Sequence, residues 1–571
     1  MNGIDTIEHH VQFCVIGGGI ADMCAAIAAA RHGVRTLIMQ DRPVFGGNAS
    51  SEIRMWICGA PKCLETGIVE ELRLENLYRN TYPNYSVWDS ILYEKVRFQK
   101  NLTSLLNCSC LDTVTENGKI LSVTGWQGTA QVCHKVTADY FADCSGDSIL
   151  AHLSGADYRI GREARSEFGE TLAPTASDRK TMGMSCLLQA RETDSPKKFI
   201  PPPWADKYPD DSSFPPREHC LDKLQNFWWL EFGGNQDSIR DTEEVRDDLL
   251  KAAFGLWDHI KNHGDHGADN WILDWVGFLP GKRESRRCLG DYLLKEPDVL
   301  NHVHFDDTVA YGGWPIDDHH PDGFRHFGTP NTNIIPEQPY EIPARCLYSR
   351  NIENLLFAGR NISTTHVALS STRVMATCGT LGEAVGVIVF QAVRHGGLTP
   401  REVCREHIGD IQQTLLQDDC WLPGRKRRIP ELSLRAKLSA DCGDPEVLRS
   451  GIDRAFNGQS NRWDCRTGSF AEYDFGSPAE IRKIRLIFDS DLNRPHLNMV
   501  SNYWKDSEVF NPPKTLVKSF HLEGDGKVIY SCAENHQRLM TIPVSCRVST
   551  LRLCIDSLRD ETGGVFAFDV E

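Results

Sequence analysis

The chain has 571 residues, 40% of them apolar and 25% charged, the make-up of a globular protein too long for one hydrophobic core. A formal net charge of −16 argues against nucleic acid or an anionic membrane as partner, and no apolar run is expected to reach the ~18 residues that cross a bilayer. With no basic-then-apolar leader before the first strand, the chain is expected in the cytoplasm, and its 20 cysteines, scattered and without a Cys-x-x-Cys, as reduced and mostly buried thiols.

The first predicted element is an apolar run at 12–16 that ends in Gly17-Gly18-Gly19. An alanine-rich helical run follows at once, and Gly33 leads into a second apolar run, 34–39. That order is the opening βαβ unit of a dinucleotide-binding fold. Gly17 allows the tight turn, and Gly19 lets the backbone approach a pyrophosphate at the positive end of the helix. The third fingerprint position, normally Gly or Ala, is Asp22. Unit charges ~4 Å apart at an effective dielectric of ~20 repel by about 4 kcal/mol, roughly a thousandfold in affinity. Three outcomes are open: Asp22 protonates or swings aside, the dinucleotide binds weakly, or it has been lost. Where an acidic residue about twenty positions beyond the glycines normally holds a ribose hydroxyl, Gln40 stands with Asp41 beside it, either of which could serve, and Arg42 is next to them. A second glycine turn, Gly46-Gly47-Asn48, lies just beyond.

Residues 102–125 alternate and read as hairpin strands around Glu116-Asn117-Gly118. Residues 138–147 read as a buried strand ending in a small-residue turn, with Gly146 and Asp147 as a second cofactor contact. From about 155 to 344 the composition becomes charged, proline-punctuated and tryptophan-rich, which suggests an inserted substrate domain. It carries a predicted strand at 226–234 and an amphipathic helix at 242–263, and its tryptophans are expected in the core rather than against a sugar. At 354–361 the chain returns to the first domain in a strand and a glycine turn, Gly359-Arg360. The helix after it carries Gly379, Gly382 and Gly386 on one face, expected to pack closely on the sheet. A helical connection follows over 400–430 and ends in the basic run 425–428, expected as a solvated linker. Short alternating runs at 470–475, 481–489, 515–522 and 550–555 then predict an all-β sandwich. The predicted class is α/β: a Rossmann-like domain (8–154 and 345–398), an inserted α+β substrate domain (155–344), a helical linker (399–431) and a C-terminal antiparallel β-sandwich (432–571).

Four separated segments carry a resemblance: Gly-Gly-Asn-Ala-Ser-Ser-Glu-Ile-Arg-Met-Trp-Ile-Cys-Gly (46–59), Leu-Pro-Gly-Lys-Arg-Glu-Ser-Arg-Arg (279–287), Asn-Leu-Leu-Phe-Ala-Gly-Arg-Asn-Ile-Ser (354–363) and Ser-Ser-Thr-Arg-Val-Met-Ala-Thr-Cys (370–378). Together they resemble the FAD-dependent oxidoreductases related to the flavin subunit of heterodisulfide reductase, which have a glutathione-reductase-like FAD fold. The resemblance implies FAD held by the glycine turns, with the helix after Ser370 aimed at the flavin ring, and it implies no known substrate. The last 140 or so residues are similar to discoidin-like, galactose-binding sandwiches, through Gly451-Ile-Asp453, Asn461-Arg-Trp463, Ala471-Glu-Tyr-Asp-Phe-Gly476 and Ile484-Arg-Leu-Ile-Phe488. Such modules bind carbohydrate or serve only as structure.

A flavin enzyme needs a donor carbon near the ring and a base for the accompanying proton. His319 and His320, in the polar run 313–323, are the first candidates for that base, and His366 is the second. Arg373, Arg286 and Arg287 could stabilise negative charge on the reduced ring or hold an anionic substrate. Paired His and Asp could bind a metal, but the spacing at 317–322 is not a recognised one, and no metal is expected. The leading expectation is an FAD-dependent oxidoreductase that transfers hydride to or from a small polar, carbohydrate-derived molecule. The alternatives are a dithiol–disulfide flavin reductase using Cys58 and Cys63, or a flavin-deficient carbohydrate-binding relative disabled by Asp22.

Overall fold

The computed structural model describes residues 4–61, 63–82, 84–221, 226–494 and 511–571. These residues fall into two compact units, one covering 4–61 and 84–411, the other 63–82, 412–494 and 511–571.

The first unit is built on a five-stranded parallel sheet in the order Leu355–Phe357, Tyr140–Asp143, Phe13–Ile16, Thr36–Met39, Leu102–Leu105. Every residue of the first four strands is buried, which is why they read as short unbroken apolar runs rather than as alternation. The Leu102–Leu105 strand is the exposed edge of this sheet, a correction to its expected place in the hairpin. The hairpin itself pairs Cys108–Glu116 with Lys119–Gln127. Its turn puts Asn117 at φ 50° and Gly118 at φ 75°, the left-handed pair that a two-residue turn requires. Val132–Thr137 and Thr6–His10 extend it into a second, four-stranded sheet.

Helix Ile20–Arg31 follows strand Phe13–Ile16, and helix Met375–Arg394 packs chiefly against that helix, to which Gly382 and Gly386 are turned rather than to the sheet as expected. A Cβ on Gly382 would stand 2.0 Å from the Ala21 carbonyl oxygen, and one on Gly386 2.5 Å from that of Ala25. The glycines and the alanine-rich run therefore answer each other: both helices shed side chains so that their backbones can touch. Met375–Arg394 is also long and apolar enough to cross a membrane, contrary to the sequence expectation, but most of it is buried inside this unit.

Residues of the expected insert belong to the same unit as the parallel sheet. They form short two-stranded ladders, among them Leu188–Glu192 with Trp271–Val276 and Ile316–His319 with Asn331–Ile334, and the helix Thr242–Asn262. The strand expected at 226–234 is absent. Phe227 sits at φ 56° and the segment turns there, making only an isolated bridge from Phe232 to Met184. Its apolar residues do not alternate, and Phe227, Trp229, Leu230 and Phe232 all enter one core with Val245, Leu249 and Trp257 of the helix.

In the second unit seven strands form one hydrogen-bonded sheet, antiparallel throughout, which fits a β-sandwich. Two of them, Phe470–Phe488 and Leu539–Ser557, run 19 residues and shift register at bulges, so each serves two parts of the sheet. Strands Lys437–Ala440, Trp463–Cys465, Lys527–Cys532 and Gly563–Val570 were not anticipated. Trp463, Tyr473, Leu486, Phe520 and Phe568 lie at the centre of its core. Helix Ile68–Arg79 also belongs to this unit, where Glu70 takes both Arg494 Nη1 and Nη2 at 2.9 and 2.8 Å. Nor is 425–428 a fully solvated linker. Arg427 is buried and paired with Asp453 and Asp569, because two interior carboxylates need a cation beside them.

Candidate active site

After Ile16, Met39, Asp143 and Phe357 the parallel strands open onto one cavity of about 480 Å³. This is the crevice beyond the carboxyl ends of the strands, where open α/β sheets bind their ligands. Gly17 stands at φ 118°, Gly46 at 109° and Gly47 at 57°, conformations that favour glycine. The Gly46 N–H donates to the Gly18 carbonyl at 2.8 Å, and a Cβ on Gly47 would lie 3.0 Å from Gly19 Cα. The two glycine turns are thus joined into one cradle at the positive end of helix Ile20–Arg31. Gly17, Gly19, Gln40, Asp41, Arg42, Gly46, Gly47, Asn48, Gly146, Asp147, Gly359 and Arg360 all line this cavity, which gathers residues spread over more than 340 positions of sequence.

Asp22 is in the lining too, but buried, with Oδ1 lacking a hydrogen-bond partner. Burial pushes its pKa well above the usual carboxylate range, against the pull of the Asp22 and Gly19 amides, and the Asp143 carboxylate adds to the rise. Burial thus favours the protonated form of the side chain beside the glycine cradle. A neutral carboxyl removes the charge repulsion expected from the sequence and leaves a proton to donate.

Asp147 is the hub of the opposite wall. It accepts from Lys282 Nζ at 2.6 Å, Ser285 Oγ at 2.8 Å and Arg360 Nη2 at 2.9 Å. Burial alone would raise its pKa, but the Arg360 and Lys282 charges reverse this and hold it below the usual range. Arg283, Arg286 and Arg373 complete the cationic lining. The Nε atoms of Arg286, Arg360 and Arg373 are buried without a hydrogen-bond partner. A glycine cradle, a buried acid whose charge is disfavoured and orphaned guanidinium donors fit a dinucleotide with its pyrophosphate on the helix end.

None of the expected bases lines the cavity, whereas two of the expected charge-stabilising arginines, Arg286 and Arg373, do. His319 lies behind it: Arg373 Nη2 donates to Asp317 Oδ2 at 3.0 Å, and His319 spans Asp317 at 3.3 Å and Glu231 at 2.6 Å. His320 is half-exposed and stacked on His326 with ring centroids 3.7 Å apart, so it does not meet the cavity. His366 is buried between Glu284, 2.9 Å from Nδ1, and Asp318, 3.0 Å from Nε2. Burial disfavours its charge, but the two carboxylates outweigh that and raise its pKa to about 10. Held as a cation with both nitrogens occupied, His366 is no base at neutral pH. Arg287 is fully buried against Glu163 and the Thr364 carbonyl, which makes it structural. The cavity residues Lys282 and Arg283 were missed, although the 279–287 segment that contains them carried part of the family resemblance.

Cys58 lines the cavity, whereas Cys63 belongs to the other unit, and burial pushes its thiol up to about 11. A thiol so far from ionising is a poor attacking group, which counts against the dithiol alternative.

A model of the FAD dependent oxidoreductase family matches residues 12–415. No curated protein matches the sequence. Among solved structures, a geranylgeranyl bacteriochlorophyll reductase-like protein of Thermoplasma acidophilum is 12% identical, covering 72% of this chain and 86% of its own, with a TM-score of 0.30. THI4 of Thermovibrio ammonificans is 16% identical over 29% of this chain and 76% of its own, with a TM-score of 0.21. A family 32 carbohydrate-binding module of Clostridium perfringens NanJ, solved with galactose, is 7% identical over 24% of this chain and 95% of its own, with a TM-score of 0.18.

Proposed function

The chain belongs to the FAD dependent oxidoreductase family, and on that premise we propose that it oxidises or reduces a small, polar and anionic molecule, of the sugar-acid or hydroxy-acid kind, by hydride transfer at FAD. The observation that carries this reading is the set of unpartnered guanidinium donors on arginines that line the cavity. Asp147 engages Lys282 and Arg360, and Arg42, Arg283 and Arg373 lie beside Glu52, Glu231 and Asp317, but Arg42 Nη1 and the Nε atoms of Arg286 and Arg373 are buried without a hydrogen-bond partner among the described residues. One pyrophosphate does not consume them all.

In this reading the amides at Gly17–Ile20 hold the pyrophosphate, Gln40 and Asp41 the ribose, and Gly46–Asn48 with Gly359–Arg360 the flavin end. When bound, FAD supplies a two-electron partner for hydride transfer. The N-terminal residue Met375 of the 20-residue helix Met375–Arg394 also lines the cavity, so the helix end favours negative charge there. Arg373 is the substrate's counter-ion. It would grip a carboxylate or the oxygen that gains charge as the C–H bond breaks. Glu231, His319 and Asp317 act through it, a file of paired groups that fixes the guanidinium's direction. His319 thus becomes a positioning residue rather than the base. Closer kinship to the heterodisulfide reductase flavin subunit rests on the four sequence segments alone, and sugar binding by the C-terminal sheet rests on its resemblance to galactose-binding sandwiches. Titration with galactose that releases no heat would remove the latter.

The test is anaerobic loss of flavin absorbance with a panel of small hydroxy acids, sugar acids and their uncharged counterparts. Carboxylate-bearing members should bleach the flavin and neutral ones of equal size should not. Arg373→Ala should keep its FAD yet bleach about a hundredfold more slowly, the usual cost of one oxyanion-binding donor. Bleaching by the neutral members alone would end the proposal.

A further inference from the structure

A second constellation lies away from the cavity, in none of whose lining its members appear. Asp211, from the short turn Asp211–Ser213, meets His219 from the loop after it, His259 from the last turn of helix Thr242–Asn262, and His266 from the loop that follows that helix. One potential ligand atom from each falls within 4.8 Å of all the others. His259 Nε2 is 2.9 Å from Asp211 Oδ1 and 3.1 Å from His266 Nε2. Asp211 Oδ1 is 3.6 Å from His219 Nε2 and 3.9 Å from His266 Nε2.

The remaining ring nitrogens say what these atoms are. His259 Nδ1 lies 2.8 Å from the Tyr208 carbonyl oxygen, and His219 Nδ1 lies 2.7 Å from that of Arg217. A carbonyl only accepts, so each Nδ1 carries the proton and, in the neutral ring, each Nε2 presents a lone pair. Two such lone pairs, a carboxylate oxygen and a third imidazole nitrogen then converge on one point with too few protons to share. A backbone carbonyl behind each ring is also the usual support of a metal-bound histidine. Phe214 closes the apolar side, with its ring 5.1 Å from His259 and 5.4 Å from His219.

The backbone at His266 is shaped for the same convergence. Gly264 sits at φ 92° and Gly267 at φ 62°, turning the loop back over the helix end. A Cβ on Gly264 would lie 2.9 Å from His266 Nε2. Ligands about 2.0–2.1 Å from a tetrahedral zinc stand roughly 3.4 Å from one another, and the separations above bracket that value. We propose that Asp211, His219, His259 and His266 form a zinc site. Four protein ligands leave no open position, so the ion is structural. It staples the end of helix Thr242–Asn262 to the two loops beside it, in a region where 211–221 has almost no regular structure of its own.

The test uses the full-length holoprotein, dialysed with zinc and then against buffer, with zinc and FAD counted separately. The expected result is one zinc per chain, and a visible ligand-field band beyond the flavin absorption when cobalt(II) replaces it. His266→Ala and Asp211→Ala change residues near the surface, so the fold should survive. Each should lose at least tenfold in zinc affinity with FAD content unchanged, and a chelator should lower the Tm of the natural protein but not of the variants. Absence of retained zinc together with a Tm indifferent to zinc would leave a proton-sharing histidine cluster and overturn the proposal. Zinc retained equally by both variants would overturn it too, by placing the ion elsewhere.

Discussion

At the scale of the residue, Asp22 decides whether the fingerprint still works. From sequence it is a carboxylate aimed at a phosphate. In the fold it is a buried acid whose pKa is raised chiefly by loss of solvent. The sign of the consequence follows from linkage. Below the ordinary carboxylate pKa both folded and unfolded chains hold this proton; as pH rises past it the unfolded chain releases the proton first, so stability falls until the folded acid ionises as well. FAD binding should weaken over the same ionisation, by up to the thousandfold that an unrelieved charge implies. Titration of the apoprotein with FAD across pH should therefore show a rising Kd for the natural protein and a flat one for Asp22→Asn. Equal slopes in both would mean that Asp22 stays ionised or stands aside. His366 is the converse case: a type of residue chosen as a base because it is near-neutral turns out to be a locked cation, since two buried carboxylates need its charge.

At the scale of the element, the decisive contact is between helix Ile20–Arg31 and helix Met375–Arg394, where Gly382 meets Ala21 from 361 positions away in sequence. Their approach carries the cradle of the first helix and the cavity-facing start of the second in one rigid pair. Gly382→Ala forces a methyl into the Ala21 carbonyl, and overpacking of this kind costs about 1–3 kcal/mol. Urea unfolding should show a lowered midpoint with an unchanged slope, and FAD affinity should fall with it because the helix end moves. Gly409→Ala, in helix Ile408–Gln417 where a Cβ meets open space and no positive φ is involved, provides the comparison for a helical glycine without close packing. If the two variants lose equal stability, close helix packing is not what Gly382 serves. The segment 226–234 teaches the reverse lesson: rich in strand-forming aromatics, it makes a turn because every aromatic has a place in the same core.

At the scale of the whole molecule, each of the two units has its own buried core and only the first contains the dinucleotide cavity. Calorimetry should resolve two transitions, of which FAD raises only one; at a hundred times its Kd the gain is about 2.7 kcal/mol. A single transition raised as a whole by FAD would show that the units unfold together. The parallel sheet, the glycine turns and the alternation of the C-terminal strands were legible in the sequence, because each follows from local rules: an apolar run with buried faces on both sides, a backbone angle open to glycine, a period of two. The residues that line the cavity at its glycine turns were legible for the same reason, as turns at strand ends. What sequence could not order was contact between distant side chains. It took tertiary structure to put Asp147 between Lys282 and Arg360, to set His319 behind Arg373 rather than in the cavity lining, to bury Arg427 out of a basic run, and to bring His219, His259 and His266 around one carboxylate. Charge and proton occupancy at such places depend on which groups are neighbours and how much water remains, and those are properties of the folded chain alone.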